Sequence, residues 1–94
     1  MRVRWLNAAR RDLDAAMEYI AHEDLDAAVK MYAHIRERVA ALANCPETGR
    51  PGRVFGTREL VIGGYPYIVP YRVRGNEVQV LCVFHASRKP PDTW

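Results

Sequence analysis

The apolar residues of this chain change their spacing once. Up to about residue 43 they recur at helical intervals, and after about residue 54 they alternate. The segment between, Asn44-Cys45-Pro46-Glu47-Thr48-Gly49-Arg50-Pro51-Gly52-Arg53, holds two prolines and two glycines and suits neither pattern, so it reads as an ordered loop. Few arrangements satisfy such a switch. A helical layer must come first and a strand layer second, and each needs the other to cover its apolar side.

The helical half resolves further. In Met1–Trp5, Val3 and Trp5 alternate with Arg2 and Arg4, as in a short strand with one buried face. Asn7 is a candidate helix cap, followed by the stripe Ala9, Leu13, Ala16, Met17, Ile20. The stripe breaks at His22-Glu23-Asp24. Asp24 or Asp26 then caps a second helix, whose seam runs Ala28, Tyr32, Ile35, Val39, Leu42. Two stripes joined by a short break predict an αα-hairpin.

In the second half, Arg58–Ile62, Tyr65–Val73 and Glu77–His85 are strand candidates separated by the turn dipeptides Gly63-Gly64 and Gly75-Asn76. A two-residue loop at Gly75-Asn76 would set Val73 against Val78, Tyr71 against Val80, Val69 against Cys82 and Tyr67 against Phe84. That face should meet the helices. The opposite face would carry Ile68, Pro70, Arg72, Gln79, Leu81, Val83 and His85, free of the helices. Pro66 and Pro70 remove ladder donors and imply a bulge or a partly unpaired strand. The expected fold is α+β: a short strand, an αα-hairpin and a three-stranded antiparallel meander (βααβββ), with both helices on one sheet face. The length of the Gly63-Gly64 loop decides which face Arg58 and Glu59 occupy.

Composition narrows the class. With 94 residues, 49% hydrophobic and 27% charged, residues 1–94 form one domain with an ordinary globular balance. No apolar run reaches the ~18–20 residues of a membrane span. The N-terminus lacks the apolar core of a signal peptide, so a cytoplasmic location without membrane contact is expected. Cys45 and Cys82 then read as a loop thiol and a buried strand thiol rather than a bridge. The net charge of +3 is uneven: residues 1–47 carry seven basic and eight acidic side chains, residues 48–94 seven and three. Twelve of the fourteen basic residues are arginines, which grip phosphate or carboxylate in bidentate fashion. Such a half invites a polyanion or an acidic partner, or is simply a solvated surface.

No metal-ligand spacing, Walker loop or nucleophile elbow is present, and no cofactor is expected. The residues left for chemistry are His85 and Arg88 at the end of the last strand, with Arg58, Glu59 and Arg72. A histidine can exchange a proton near neutrality and arginines can stabilise charge on phosphorus, so this set would suffice for metal-free RNA cleavage by 2′-OH attack. The plainer reading makes His85 a strand-end residue bonded to a backbone carbonyl, with Arg88 paired to Asp92 or to a partner's carboxylate.

Longer strings carry a resemblance. Asp12-Leu13, Tyr19-Ile20, Ala27-Ala28, Gly49-Arg50-Pro51-Gly52-Arg53-Val54, Gly56-Thr57-Arg58-Glu59-Leu60-Val61, Pro66-Tyr67-Ile68-Val69-Pro70-Tyr71-Arg72-Val73 and His85-Ala86-Ser87-Arg88 together resemble the RelE/ParE toxins of bacterial type II toxin–antitoxin modules. The resemblance spans essentially the whole chain. It implies a toxin neutralised by an antitoxin that wraps it, and one of two targets: mRNA in the ribosomal A site, or DNA gyrase. In the RNase pattern, Arg58 and Arg88 match basic positions and His85 matches a strand-end histidine of some members. Leu60, Tyr67 and Trp94 fall where that pattern has a lysine, an arginine and a tyrosine. The gyrase reading asks for no catalytic residue, and a third alternative is a non-toxic binding module with a decayed site.

Overall fold

The computed structural model describes residues 1–94. Strand β1 (Arg2–Trp5) leads into helix α1 (Asn7–Ala21) and helix α2 (Leu25–Ala40), the latter extended by a 3-10 turn at Ala41–Ala43. Strands β2 (Arg50–Pro51), β3 (Arg58–Val61), β4 (Tyr67–Arg74), β5 (Glu77–Val80) and β6 (Phe84–His85) follow. The sheet order is β1-β5-β4-β3-β2, with β6 also pairing with β4. The meander is antiparallel, and β1 adds to its β5 edge in parallel, Val3 opposite Val78 and Trp5 opposite Val80. Both helices lie on one face, and the core between layers joins Leu13, Met31, Ile35, Val39 and Leu42 to Leu60, Val69, Tyr71, Val78 and Val80. No helix is long and apolar enough to cross a membrane.

The helix boundaries follow local chemistry. Asp24 caps α2, its Oδ1 accepting from the Ala27 N–H at 3.0 Å, while Asp26 pairs with Lys30 one turn on. Asn7 does not cap α1. Leu6 holds that position because its own N–H completes the ladder to the Val80 carbonyl at 3.0 Å, and the helix begins immediately afterwards. In the β4–β5 turn only Gly75 takes a positive φ, +62°, so the first central residue alone needs the left-handed region.

The two prolines of β4 act differently from a simple interruption. Tyr71 pairs with Val80 and Val73 with Val78, in the register that alternation predicts. Beyond Pro70 the register slips by one: Ile68 pairs with Phe84 and Tyr67 with His85. Pro70 accepts from the Leu81 N–H at 2.9 Å but has no N–H to return, so the ladder cannot close there and one extra residue enters the last strand. A one-residue slip exchanges faces. Val83 joins the core and His85 lies on the helix side with Tyr67, whereas Phe84 turns outward; the alternation had assigned all three the other way.

The outer face is not bare either. Glu59, Ile68, Pro70, Gln79 and Leu81 are buried there, beneath a roof built from the β2 segment and the C-terminus. Trp94 stacks on Phe84 with ring centroids 5.9 Å apart and its indole N–H reaches Thr57 Oγ1 at 3.4 Å. The Arg53 guanidinium lies 5.2 Å from the Phe84 ring. The segment expected to be only a loop thus contributes a short edge strand, Arg50 opposite Glu59 and Pro51 opposite Arg58. The Gly63–Pro66 connection spans four residues, since the Ile62 N–H bonds the Tyr67 carbonyl at 3.0 Å. That even length sets Arg58 on the helix side and Glu59 on the outer side.

Candidate functional site

The slipped strand creates a cleft of about 480 Å³ between α1 and the end of the sheet. Asp12, Ala16 and Tyr19 line it from the helix, Tyr67 from β4, and His85, Arg88 and Lys89 from the last strand and tail. Two backbone bonds hold the rim: Ala86 N–H to the Pro66 carbonyl at 2.8 Å and Arg88 N–H to the His85 carbonyl at 3.0 Å. At the bulge, the stray Val83 N–H is received by Asp12 Oδ2 at 3.0 Å, so a carboxylate on α1 stands in for the missing strand partner. Burial first, and then the Asp12 carboxylate, push the neighbouring Cys82 thiol up to about 12, leaving it unreactive as a nucleophile. Cys45 and Cys82 are both free.

His85 is tethered through Nδ1 to Ser87. Its Nδ1 lies 3.2 Å from the Ser87 N–H and 2.7 Å from Ser87 Oγ. A backbone N–H can only donate, so Nδ1 keeps its lone pair and the ring hydrogen resides on Nε2. The ring sits edge-on to Tyr67, 5.4 Å between centroids. In this arrangement His85 offers a donor, and acting as a base would first require it to release Ser87. Arg88 makes no ion pair, with Asp92 or any other acid; its guanidinium lies 6.0 Å from the Tyr19 ring. Burial raises the Tyr67 hydroxyl above the ordinary tyrosine value, against an opposing pull from Arg88.

The remaining expected site residues lie elsewhere. Arg58 donates from Nη1 to the carbonyls of Gly49 at 2.7 Å and Glu47 at 3.3 Å, fastening the central loop to the sheet. It stands opposite Tyr71, four positions along β4 from Tyr67, roughly 13 Å away at ~3.3 Å per residue. Arg72 is on the outer face, its Nε donating to Gln79 Oε1 at 2.7 Å, and Gln79 in turn donates to Glu77. Of the five residues the sequence left for chemistry, only His85 and Arg88 share the cleft.

Sequence reasoning missed Asp12, and it named Glu59 for chemistry without foreseeing its structural role. Asp12 carries no local signal, because its partner is 71 residues away. Glu59, 2% exposed, is the hub of the roof: it accepts from Arg53 N–H at 2.9 Å, Arg53 Nε at 3.0 Å and Arg50 Nη2 at 3.1 Å. Burial pushes its carboxyl up, but these donors outweigh it and hold the carboxyl below the usual range. Its only forewarning is the clustering of Arg50, Arg53 and Glu59 around a glycine-rich loop.

A mixed sheet backed by an αα-hairpin is the architecture this chain shares with solved chains of type II toxin–antitoxin systems. Residues 3–90 match the model of the ParE toxin of type II toxin–antitoxin systems, parDE, and the chain belongs to this family. Among relatives, it is 47% identical over 90 residues to the Sinorhizobium fredii protein named "Putative toxin Y4kP", covering 96% of this chain and 93% of the other. Among solved structures, a chain of the chromosomal ParDE system from P. aeruginosa superposes with a TM-score of 0.83 at 32% identity, covering 93% of this chain and 97% of that one. A chain of the RelBE2 toxin–antitoxin complex from Mycobacterium tuberculosis gives 0.67 at 27% identity, with 89% and 95% covered.

Proposed function

We propose that this toxin acts as a ParE-type inhibitor of DNA gyrase, by docking rather than by bond cleavage, and is neutralised by a cognate antitoxin. The observation that carries the reading is the dispersal of the arginines: Arg58 is held by loop carbonyls and Arg72 by Gln79, which leaves Arg88 and Lys89 as the only cations in the cleft with His85. The tether of His85 agrees with this reading, since its Nδ1 is already engaged by Ser87. A wholly exposed Phe55 supports a docking role. It stands at the apex of a turn fixed by Thr57 N–H and Oγ1 bonds to the Val54 carbonyl, and such a rigid, exposed aromatic is suited to a protein interface. The cognate antitoxin is the expected second occupant of these surfaces, in keeping with the toxin–antitoxin assemblies of both structural relatives.

The test is purified full-length chain added to gyrase and relaxed plasmid. Inhibited supercoiling with accumulated cleaved DNA is expected, and removed by antitoxin. Unimpaired supercoiling together with ribosome-dependent mRNA cuts would overturn it in favour of the RNase reading, in which His85 and Arg88 carry the chemistry. The RNase reading retains one specific support, the joint presence of these two side chains in the cleft. Under it, His85→Ala abolishes toxicity; under the gyrase reading His85→Ala is tolerated and Arg88→Ala weakens docking. Growth without arrest on induction in the absence of antitoxin would defeat both.

A further inference from the structure

A second basic surface lies on the other side of α1. Two adjoining hollows of about 380 and 500 Å³ share Trp5, Asn7, Arg10 and Arg36, and extend to Arg11 on one side and Arg4 on the other. At about 100° per residue, Arg10 points away from the Asp12, Ala16 and Tyr19 side of α1 that lines the His85 cleft, and Arg11 stands about a quarter turn round from it. Four arginines therefore meet where the terminal strand and two helices converge, although residues 1–47 as a whole carry more acids than bases. Opposing charge is sparse. Asp14 lines one hollow, and Glu77 pairs with Arg4 at 3.2 Å and also with Arg2. Arg10, Arg11 and Arg36 form no ion pair.

Arg36 is exposed but braced. Its Nη1 donates to the Tyr32 hydroxyl at 3.4 Å, and its guanidinium lies 5.7 Å from the Tyr32 ring and 6.0 Å from that of Trp5. A planar cation braced on two half-buried rings can both stack on a base and donate to phosphate. The cations are spread along the two hollows instead of converging on one point. That distribution fits a chain of phosphates better than a single small anion.

We propose that this surface binds single-stranded nucleic acid, with Arg4, Arg10, Arg11 and Arg36 on successive phosphates and the Trp5–Arg36–Tyr32 stack against a base. The inference is independent of gyrase inhibition, and the two tests fail separately. The experiment is fluorescence anisotropy of full-length chain with labelled oligothymidylate, oligoglutamate serving as the carboxylate competitor. Binding should weaken steeply with salt, and Arg10→Glu/Arg11→Glu should lower affinity about ten-fold or more and flatten the salt slope, each lost phosphate contact removing about 0.7 from it. Arg36→Lys, which keeps the charge but not the plane, should cost roughly several-fold. Arg74→Glu, a single exposed charge reversal at the β4–β5 turn, is the control for net charge and should change affinity less than about two-fold. Equal losses in the Arg74 variant, an unaffected Arg10/Arg11 variant of native melting temperature, or displacement by oligoglutamate at equal charge concentration would each overturn the proposal. The last outcome would assign the surface to an acidic polypeptide.

Discussion

Two stretches of β4 are flanked by arginines used in opposite ways. Beside its middle, at Pro70 and Tyr71, Arg50, Arg53 and Arg58 are bound inward, two on a buried carboxylate and one on the carbonyls of Glu47 and Gly49. Beside its start, at Tyr67, Arg88 meets no acid and faces a cleft with His85. All four belong to the basic half of the chain, so charge count alone ranks them equally. What separates them is partnership. The first group fastens a proline- and glycine-rich loop that could not otherwise hold a fixed shape, and the second is left available to a partner.

Removing the hub of the first group should have the largest effect. Glu59→Ala strands two guanidinium groups and the Arg53 N–H around a vacated buried position. Breaking a fully buried pair costs ~3–5 kcal/mol, and because Arg50 and Arg53 are about half exposed we expect about 2–3 kcal/mol, read from urea unfolding. The sign with pH is set by the depressed carboxyl of Glu59. Its contribution is present above the unfolded-state value of ~4.3 and fades as pH falls through the lower folded value, so wild type should lose stability on acidification that Glu59→Ala has already lost. A variant within about 0.5 kcal/mol of wild type would show that the arginines need no internal anion.

The same loop is fastened a second time, by Tyr71. Its hydroxyl donates to the Pro46 carbonyl at 2.6 Å and accepts from the Gly49 N–H at 2.8 Å. A Cβ at Gly49 would lie 2.6 Å from the Tyr71 ring, so only glycine admits this approach. Gly49→Ala should cost about 1–3 kcal/mol through displacement of that buried ring, and Tyr71→Phe about 1–2 kcal/mol through the unpaired Gly49 N–H. Calorimetric melting of both variants distinguishes them, because steric displacement should also perturb the near-ultraviolet signal of the tyrosine.

Between the two regions stands the bulge, where Asp12 receives the Val83 N–H. Asp12→Ala should cost about 1–2 kcal/mol, and Asp12→Asn, which keeps an acceptor, distinctly less. If the two variants melt together, the carboxylate's contribution is charge and not the bond.

Much of the fold was legible because it rests on local signals. The two apolar stripes, the Asp24 cap and the Gly75-Asn76 turn each lie within a few residues of what they determine, and all hold. The site was less legible because its geometry turns on parity. Pro70 announced a disturbance, but not whether the register after it would shift by one, and that shift decides that His85 faces α1. The face of Arg58 depended likewise on whether the Gly63–Pro66 loop was even or odd. The Glu59 roof joins a two-residue strand, a loop and the chain's end, and no period spans such a set.

The smallest stability effect should come from the other end of the comparison, and it is the most informative. Arg88 touches only the Tyr19 ring face, itself largely exposed, so Arg88→Ala should change stability by less than about 0.5 kcal/mol. A cation kept unpaired in a cleft earns little for the fold, and its value must lie in what it meets. Under the docking mechanism, growth arrest on induction should fall sharply for Arg88→Ala and recover partly for Arg88→Lys, because charge persists while the bidentate fork is lost. Arg58→Ala should show the reverse signature: the Gly49 and Glu47 carbonyls lose their donor, stability drops by about 1–2 kcal/mol, and toxicity falls only in proportion to the folded fraction. If Arg58→Ala abolished growth arrest at full folding while Arg88→Ala did not, the two regions would exchange roles, and the site would have to be sought around the central loop.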